Sequence, residues 1–163
     1  MNKFVATFAS VLASATAPAL VFVIIMLVLG RSEFVPFLFP MFAMAFVVAL
    51  GHSVVLGLPT VWLLLRTNHF VLWSMLCIGF LVGAAPMAVL TWPYSQSRYS
   101  SSAWSDGVQI LNNGVPTVAG WLSYAEGAAY LGVLGTVGAA AFYYAFKRIS
   151  SNYSFQRTRY ARR

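Results

Sequence analysis

The chain has 163 residues, of which 60% are hydrophobic and 8% are charged, and its formal net charge is +7. A soluble domain usually has about a quarter of its residues charged, and it needs a polar exterior in water. The composition therefore excludes an ordinary soluble domain and indicates a chain surrounded by lipid. With one cysteine, Cys77, the chain has no internal disulfide and no zinc site built from cysteines alone.

Four long stretches of the chain are almost free of charged residues. We predict membrane-spanning helices at about residues 4–29, 36–65, 70–92 and 118–146. A helix needs about 20 apolar residues to cross a bilayer core, and in lipid the backbone must satisfy its own hydrogen bonds. The predicted fold class is therefore an all-α integral membrane protein with a four-helix bundle over residues 1–146.

The first stretch also has features of a cleavable signal peptide. The basic start Met1-Asn2-Lys3 precedes an apolar run with small residues at positions 13–17. Against cleavage, Pro18 would follow the cut directly, and the apolar run continues to Leu29. We therefore expect the first helix to be retained as a membrane anchor.

The second predicted helix has one ionisable residue, His52, near its middle. Such residues are costly in a membrane, and they often mark a binding or proton-transfer site. The alternative, which we favour, is a neutral imidazole that is hydrogen-bonded to a neighbouring helix. Pro59 removes a backbone hydrogen bond from the same helix. It either kinks the helix and opens a polar pocket beside His52 or is a tolerated membrane proline, and we favour the second interpretation.

The third and fourth predicted helices contain glycines at helical spacing. Gly79 and Gly83 form a GxxxG motif, and Gly132 and Gly135 follow in the fourth helix. Small residues let membrane helices approach closely. The motif predicts either packing within this chain or a docking face for another subunit, and it does not distinguish between them.

The segment 93–114 between the third and fourth helices is a serine-rich loop. It contains a short apolar patch at Val108–Leu111 and a turn signal at Asn112-Asn113-Gly114. Two starts of the fourth helix are possible, because Ser123 and Glu126 match a helix-capping box. We favour the capping box, which puts Glu126 at the membrane interface. A start near Thr117 instead makes Glu126 an intramembrane acid that is a candidate for pairing with His52 or for proton transfer.

Basic residues predict the orientation. If the N-terminus is inside, the inner segments contain Lys3, Arg66, Lys147, Arg148, Arg157, Arg159, Arg162 and Arg163, and the outer loops contain Arg31 and Arg98. The positive-inside rule then predicts that both termini are cytoplasmic. We expect the membrane to be a bacterial inner (plasma) membrane.

The last segment, 147–163, is predicted to be a basic cytoplasmic tail. Its six basic residues are Lys147, Arg148, Arg157, Arg159, Arg162 and Arg163, and it contains no acidic residue. Basic segments beside a spanning helix attract anionic lipid headgroups. We favour this interpretation over binding to an acidic protein, and we expect no binding to nucleic acid.

The sequence contains no catalytic, metal-binding or cofactor-binding motif. Acid–base or nucleophilic catalysis needs at least a positioned pair of groups, and only His52 and Glu126 are candidates within the helices. We therefore predict a non-enzymatic membrane protein, with no cofactor, that binds lipids and either another membrane protein or a second copy of itself. It would be an accessory, assembly or immunity-type subunit. The alternative is a small oligomeric transporter or channel that uses His52 and Glu126.

Overall fold

The computed structural model describes residues 3–28, 32–92, 102–105 and 107–160, and it describes only the backbone of residues 3, 32–34 and 151–160. The described chain is mostly helical. Its helices are α1 (Lys3–Val28), a 3-10 helix (Ser32–Phe37), α2 (Leu38–His52), a π-helix (Ser53–Gly57), α3 (Leu58–Arg66), α4 (Leu72–Leu90) and α5 (Val118–Tyr160). Four segments are long and apolar enough to cross a membrane: Phe4–Val28, Val35–Arg66, Leu72–Leu90 and Val118–Ser150.

The helix limits agree with the predicted limits within two residues for α1 and α4. The second predicted helix is instead a continuous run of 3-10, α- and π-helix. The fourth begins at Val118, which agrees with the start near Thr117 and not with the favoured capping-box start, and its backbone stays helical beyond residue 146 as far as Tyr160. No proline or glycine occurs between residues 147 and 160, so this stretch contains no strong helix-ending signal.

The helices pack in the order α2, α1, α5, α4. The most extensive packing is that of α4 on α5, followed by α1 on α5 and α1 on α2. Helix α2 packs mainly against α1, and none of its 15 residues is buried. Helices α2 and α4 are therefore the outer members of the arrangement.

A small core lies near the end of the helices that carries Arg66 and Lys147, here called the basic end. Its buried side chains come from α1, α3, α4 and α5, and they are Val11, Val61, Leu64, Met75 and Phe142. Phe70 extends the core, because its ring lies 5.4 Å from the rings of Tyr143 and Phe146. The core therefore joins α3 to the other helices at this end.

The segment before α5 forms a small antiparallel sheet with strands β1 (Ala103–Ser105), β2 (Val108–Asn112) and β3 (Val115–Pro116) in that order. The predicted turn links β2 and β3, with φ angles of 47° at Asn113 and 77° at Gly114. Positive φ at both positions is typical of a type I′ turn, which glycine and asparagine favour. The all-α prediction missed this sheet, because strands of two to five residues give little periodicity.

Thr117 joins the sheet to α5. Its backbone N–H donates to Ile110 O at 3.1 Å, and its hydroxyl donates to Gln109 O at 2.6 Å. The same hydroxyl accepts a hydrogen bond from the Gly120 N–H at 3.1 Å, as an N-cap side chain does. Thr117 therefore starts the helix, and Ser123 lies inside it. The capping-box prediction for Ser123 and Glu126 is wrong.

Candidate functional site

A cleft of about 610 Å³ lies among the described residues. Helices α2 and α4 form its walls, while α1 and α5 form its floor. Residues of α2 and α4 that line the walls include Met41, Met44, Val48, Val82, Pro86 and Met87, and floor residues include Pro18, Phe22, Leu131 and Leu134. The lining is almost entirely apolar, and the volume lies within the range of about 300–1,000 Å³ typical of ligand-sized sites.

Glycines explain why α4 lies so close to α5. A Cβ atom added at Gly79 would lie 2.8 Å from Gly135 O, and one added at Gly83 would lie 2.5 Å from Leu131 O. A Cβ added at Gly132 would lie 2.6 Å from a ring carbon of Phe80. The predicted packing glycines Gly79, Gly83, Gly132 and Gly135 therefore all lie at contacts within this chain.

Helix α2 shows no such close approach to another helix at its own glycine, Gly51. A Cβ added at Gly51 would meet nothing within 4 Å, and the side chains of Met44 and Val47 are 72% and 65% exposed. One wall of the cleft, α4, is therefore packed tightly on α5, while the other wall, α2, packs on α1 and makes no extensive contact with α4. This asymmetry leaves the cleft open.

His52 lines the cleft from the last position of α2. Its Nδ1 atom lies 2.8 Å from Val48 O. A backbone carbonyl only accepts hydrogen bonds, so Nδ1 carries a proton, and in the neutral imidazole Nε2 then has a free lone pair. This tautomer follows from the hydrogen-bond geometry. The favoured prediction, a histidine bonded to a neighbouring helix, is wrong for Nδ1, which bonds to its own helix.

The π-helix Ser53–Gly57 begins directly after His52 and ends two residues before Pro59. The Leu58 N–H donates to Ser53 O, five residues back, and Pro59 has no N–H to continue the regular α-helical pattern. The hydroxyls of Ser53 and Ser14 are hydrogen-bonded at 2.9 Å. The irregular segment is therefore tied to α1 beside His52.

Glu126 lies elsewhere. It is eight residues beyond Val118, or about 12 Å along the helix at about 1.5 Å per residue, and its side chain is exposed. It is not among the residues that line the cleft. Tyr130, one turn further along α5, does line it. The structure therefore does not bring His52 and Glu126 into one cavity.

Several lining residues were missed by the sequence analysis. Met41, Met44, Val48 and His52 follow one another at intervals of three or four residues, and all line the cleft. This spacing marks one face of a helix, so the pattern was visible in the sequence. The pairing of Ser14 with Ser53 was not, because the two residues lie on helices whose relative position only the fold determines.

The basic end carries cations over aromatic rings. The Arg66 guanidinium lies 5.3 Å from the centre of the Trp62 ring, and the Lys147 ammonium lies 5.6 Å from that of Tyr143. Both distances suit cation–π contacts. Of the other predicted tail residues, Arg157 and Arg159 are described only by their backbone, while Arg162 and Arg163 lie outside the described residues.

Within the described ranges, no group of three or more histidine, cysteine, aspartate or glutamate residues is arranged to hold a metal ion. The cleft, with His52 in its wall, is therefore the feature from which a function is inferred. When the chain is compared with protein-family models, with curated proteins and with solved structures, nothing matches.

Proposed function

We propose that this chain is a small, non-enzymatic membrane protein that acts by binding another membrane protein through the cleft between α2 and α4. The observation that carries the proposal is the open apolar cleft beside a helix with no buried residue. In lipid an exposed apolar surface is ordinary, but a concave one lined by small residues such as Ala45 and Ala49 lets another helix approach closely. The methionines in the walls suit such a role, because their flexible thioether side chains adapt to different partner surfaces.

We further propose four membrane crossings with both termini on the cytoplasmic side of a bacterial inner membrane. Arg66 and Lys147 share one end of the helices, which the positive-inside rule assigns to the cytoplasm. The other end has an aromatic cluster, in which the Trp92 ring lies 5.5 Å from Trp121 and 5.7 Å from Tyr124. Such clusters favour the membrane interface. The basic tail then lies against anionic lipid headgroups.

A transporter or channel that uses His52 and Glu126 receives less support. A transport pathway needs its ionisable groups to share a water-accessible cavity. Glu126 is exposed on α5 and does not line the cleft, whereas His52 does. The geometry therefore favours a docking role for the cleft over a conducting one.

Co-purification with matched variants tests the proposal. Ala49 lines the cleft, whereas Val47 lies on the same helix outside it. Ala49→Trp fills the cleft with an indole, and Val47→Trp adds the same group to another face. We expect a membrane protein to co-purify in mild detergent with the wild type and with Val47→Trp, and to be lost with Ala49→Trp. A monomer without a partner that conducts ions in liposomes would refute the proposal.

A further inference from the structure

His52, which lines the cleft, has one unpaired hydrogen-bond acceptor. Nδ1 donates to Val48 O, so Nε2 keeps its lone pair. The described residues provide no hydrogen-bond partner for Nε2, and no unpaired side-chain nitrogen or oxygen among them is buried, so Nε2 is accessible. Ser14, Ser53, Thr91 and Tyr130 also carry hydroxyls and line the cleft. Ser14 pairs with Ser53, Thr91 donates to Met87 O at 2.6 Å, and none of the four hydroxyls is bonded to Nε2.

The position of His52 along its helix limits which groups can donate a hydrogen bond to its Nε2 atom. It lies near the middle of the 32-residue apolar segment Val35–Arg66. On the membrane orientation proposed above, this position is close to the centre of the bilayer. Water and lipid headgroups lie at the two faces, while lipid tails carry no donor. A donor at this depth therefore comes from the side chain of another membrane-spanning helix.

We propose that the cleft binds a single transmembrane helix of a different protein, and that this helix presents a serine, threonine, asparagine or glutamine side chain as a hydrogen-bond donor to Nε2 of His52. This inference rests on the proposed function and names the chemistry of the partner. The methionines and small residues of the walls hold the apolar face of the helix, and the hydrogen bond fixes its height. An interhelical hydrogen bond of this kind increases binding by roughly 3- to 30-fold.

The chain itself offers few donors for such a contact. Three threonine hydroxyls in its apolar segments already donate to carbonyls of their own helices: Thr16 to Leu12, Thr60 to Leu56 and Thr136 to Gly132. The ring of Tyr130 lines the cleft itself, so it does not lie on a convex face that enters a second cleft. These contacts favour a different protein over a second copy as the occupant.

The test uses the full chain in phosphatidylethanolamine–phosphatidylglycerol vesicles together with synthetic helices of about 20 leucines. One helix has a central asparagine and the other has none. A photoreactive side chain replaces either Met44, which lines the cleft, or Val47, which is similarly exposed outside it. We expect the asparagine helix to cross-link roughly 3- to 30-fold more than the all-leucine helix at position 44, and no such difference at position 47.

Two variants of His52 identify the acceptor. His52→Leu removes the lone pair, so it should abolish the preference for asparagine. His52→Gln places an amide oxygen near the position of Nε2 and should retain it. The comparison of the two synthetic helices on the wild-type chain needs neither variant, so a folding defect in either one leaves that measurement intact.

Three results would overturn the inference. Equal cross-linking of the two synthetic helices would exclude a hydrogen-bond donor as the feature that is recognised. Adducts formed only with phospholipid would show that the cleft is a lipid site. Adducts between two copies of the chain would show that the partner is a second copy. Failure of the proposed function itself is seen separately, because Ala49→Trp would then leave co-purification unchanged.

Discussion

Replacing Gly83 with alanine tests the packing of α4 on α5. A Cβ at this position would lie 2.5 Å from Leu131 O and 2.9 Å from the Cα atom of Gly135. Both neighbours are backbone atoms, which cannot move without their helix. To reach an ordinary contact distance of 3.4 Å from Leu131 O, the two helices must separate locally by about 0.9 Å.

The magnitude follows from two opposing effects. Forcing a methyl group into a close-packed interface costs about 1–3 kcal/mol. Alanine favours a helix over glycine by about 1 kcal/mol, which offsets part of this loss. We therefore expect Gly83→Ala to lower the free energy of unfolding by up to about 2 kcal/mol relative to the wild type, and by about 1–3 kcal/mol relative to an alanine substitution at an open helical glycine.

Unfolding in mixed micelles with increasing dodecyl sulfate, followed by circular dichroism, measures this change. Gly51→Ala is the matched control, because a Cβ at Gly51 meets nothing within 4 Å. It should leave the stability unchanged or raise it by up to about 1 kcal/mol. If Gly83→Ala unfolds at the same detergent fraction as Gly51→Ala, α4 and α5 do not approach each other as described.

Three further outcomes follow from the structure. A double-mutant cycle of Ser14→Ala and Ser53→Ala should give a coupling of about 0.6–1.7 kcal/mol in the same assay, and additive effects would contradict the hydrogen bond between them. Thr117→Ala should lower stability by about 1 kcal/mol through loss of the helix cap, whereas an unchanged transition would place the start of α5 elsewhere. In a background without the native cysteine, Lys147→Cys should resist an impermeant maleimide in intact cells while Val115→Cys reacts. Labelling of Lys147→Cys alone would reverse the proposed orientation.

The helical segments could be predicted from the sequence because length and uninterrupted hydrophobicity are local properties. The start of α5 was harder, since two local signals competed. The Ser123–Glu126 motif has the right spacing for a capping box, but Thr117 begins the helix because its hydroxyl reaches both Gln109 O and the Gly120 N–H. That arrangement depends on β2, whose pairing the sequence did not reveal.

The candidate site was only partly predictable. His52 was identified because an ionisable residue in a long apolar stretch is unusual. The cleft around it depends on how far α2 stands from α4, and that distance is set by contacts among residues far apart in sequence. The close approach at Gly79, Gly83 and Gly135 was consistent with the GxxxG motif, but the motif alone did not identify the partner helix.

The π-helix has a consequence for the rotational phase of the second apolar segment. In a regular α-helix, residues advance by about 100° each, so two residues nine positions apart point in opposite directions. The extra residue in a π-helical turn removes about one such step, which leaves His52 and Val61 within about 80° of each other. His52 can thus line the cleft while Val61 lies in the core. Deletion of one residue from Ser53–Gly57 should keep this relation, because two residues eight positions apart in a regular α-helix also lie about 80° from each other.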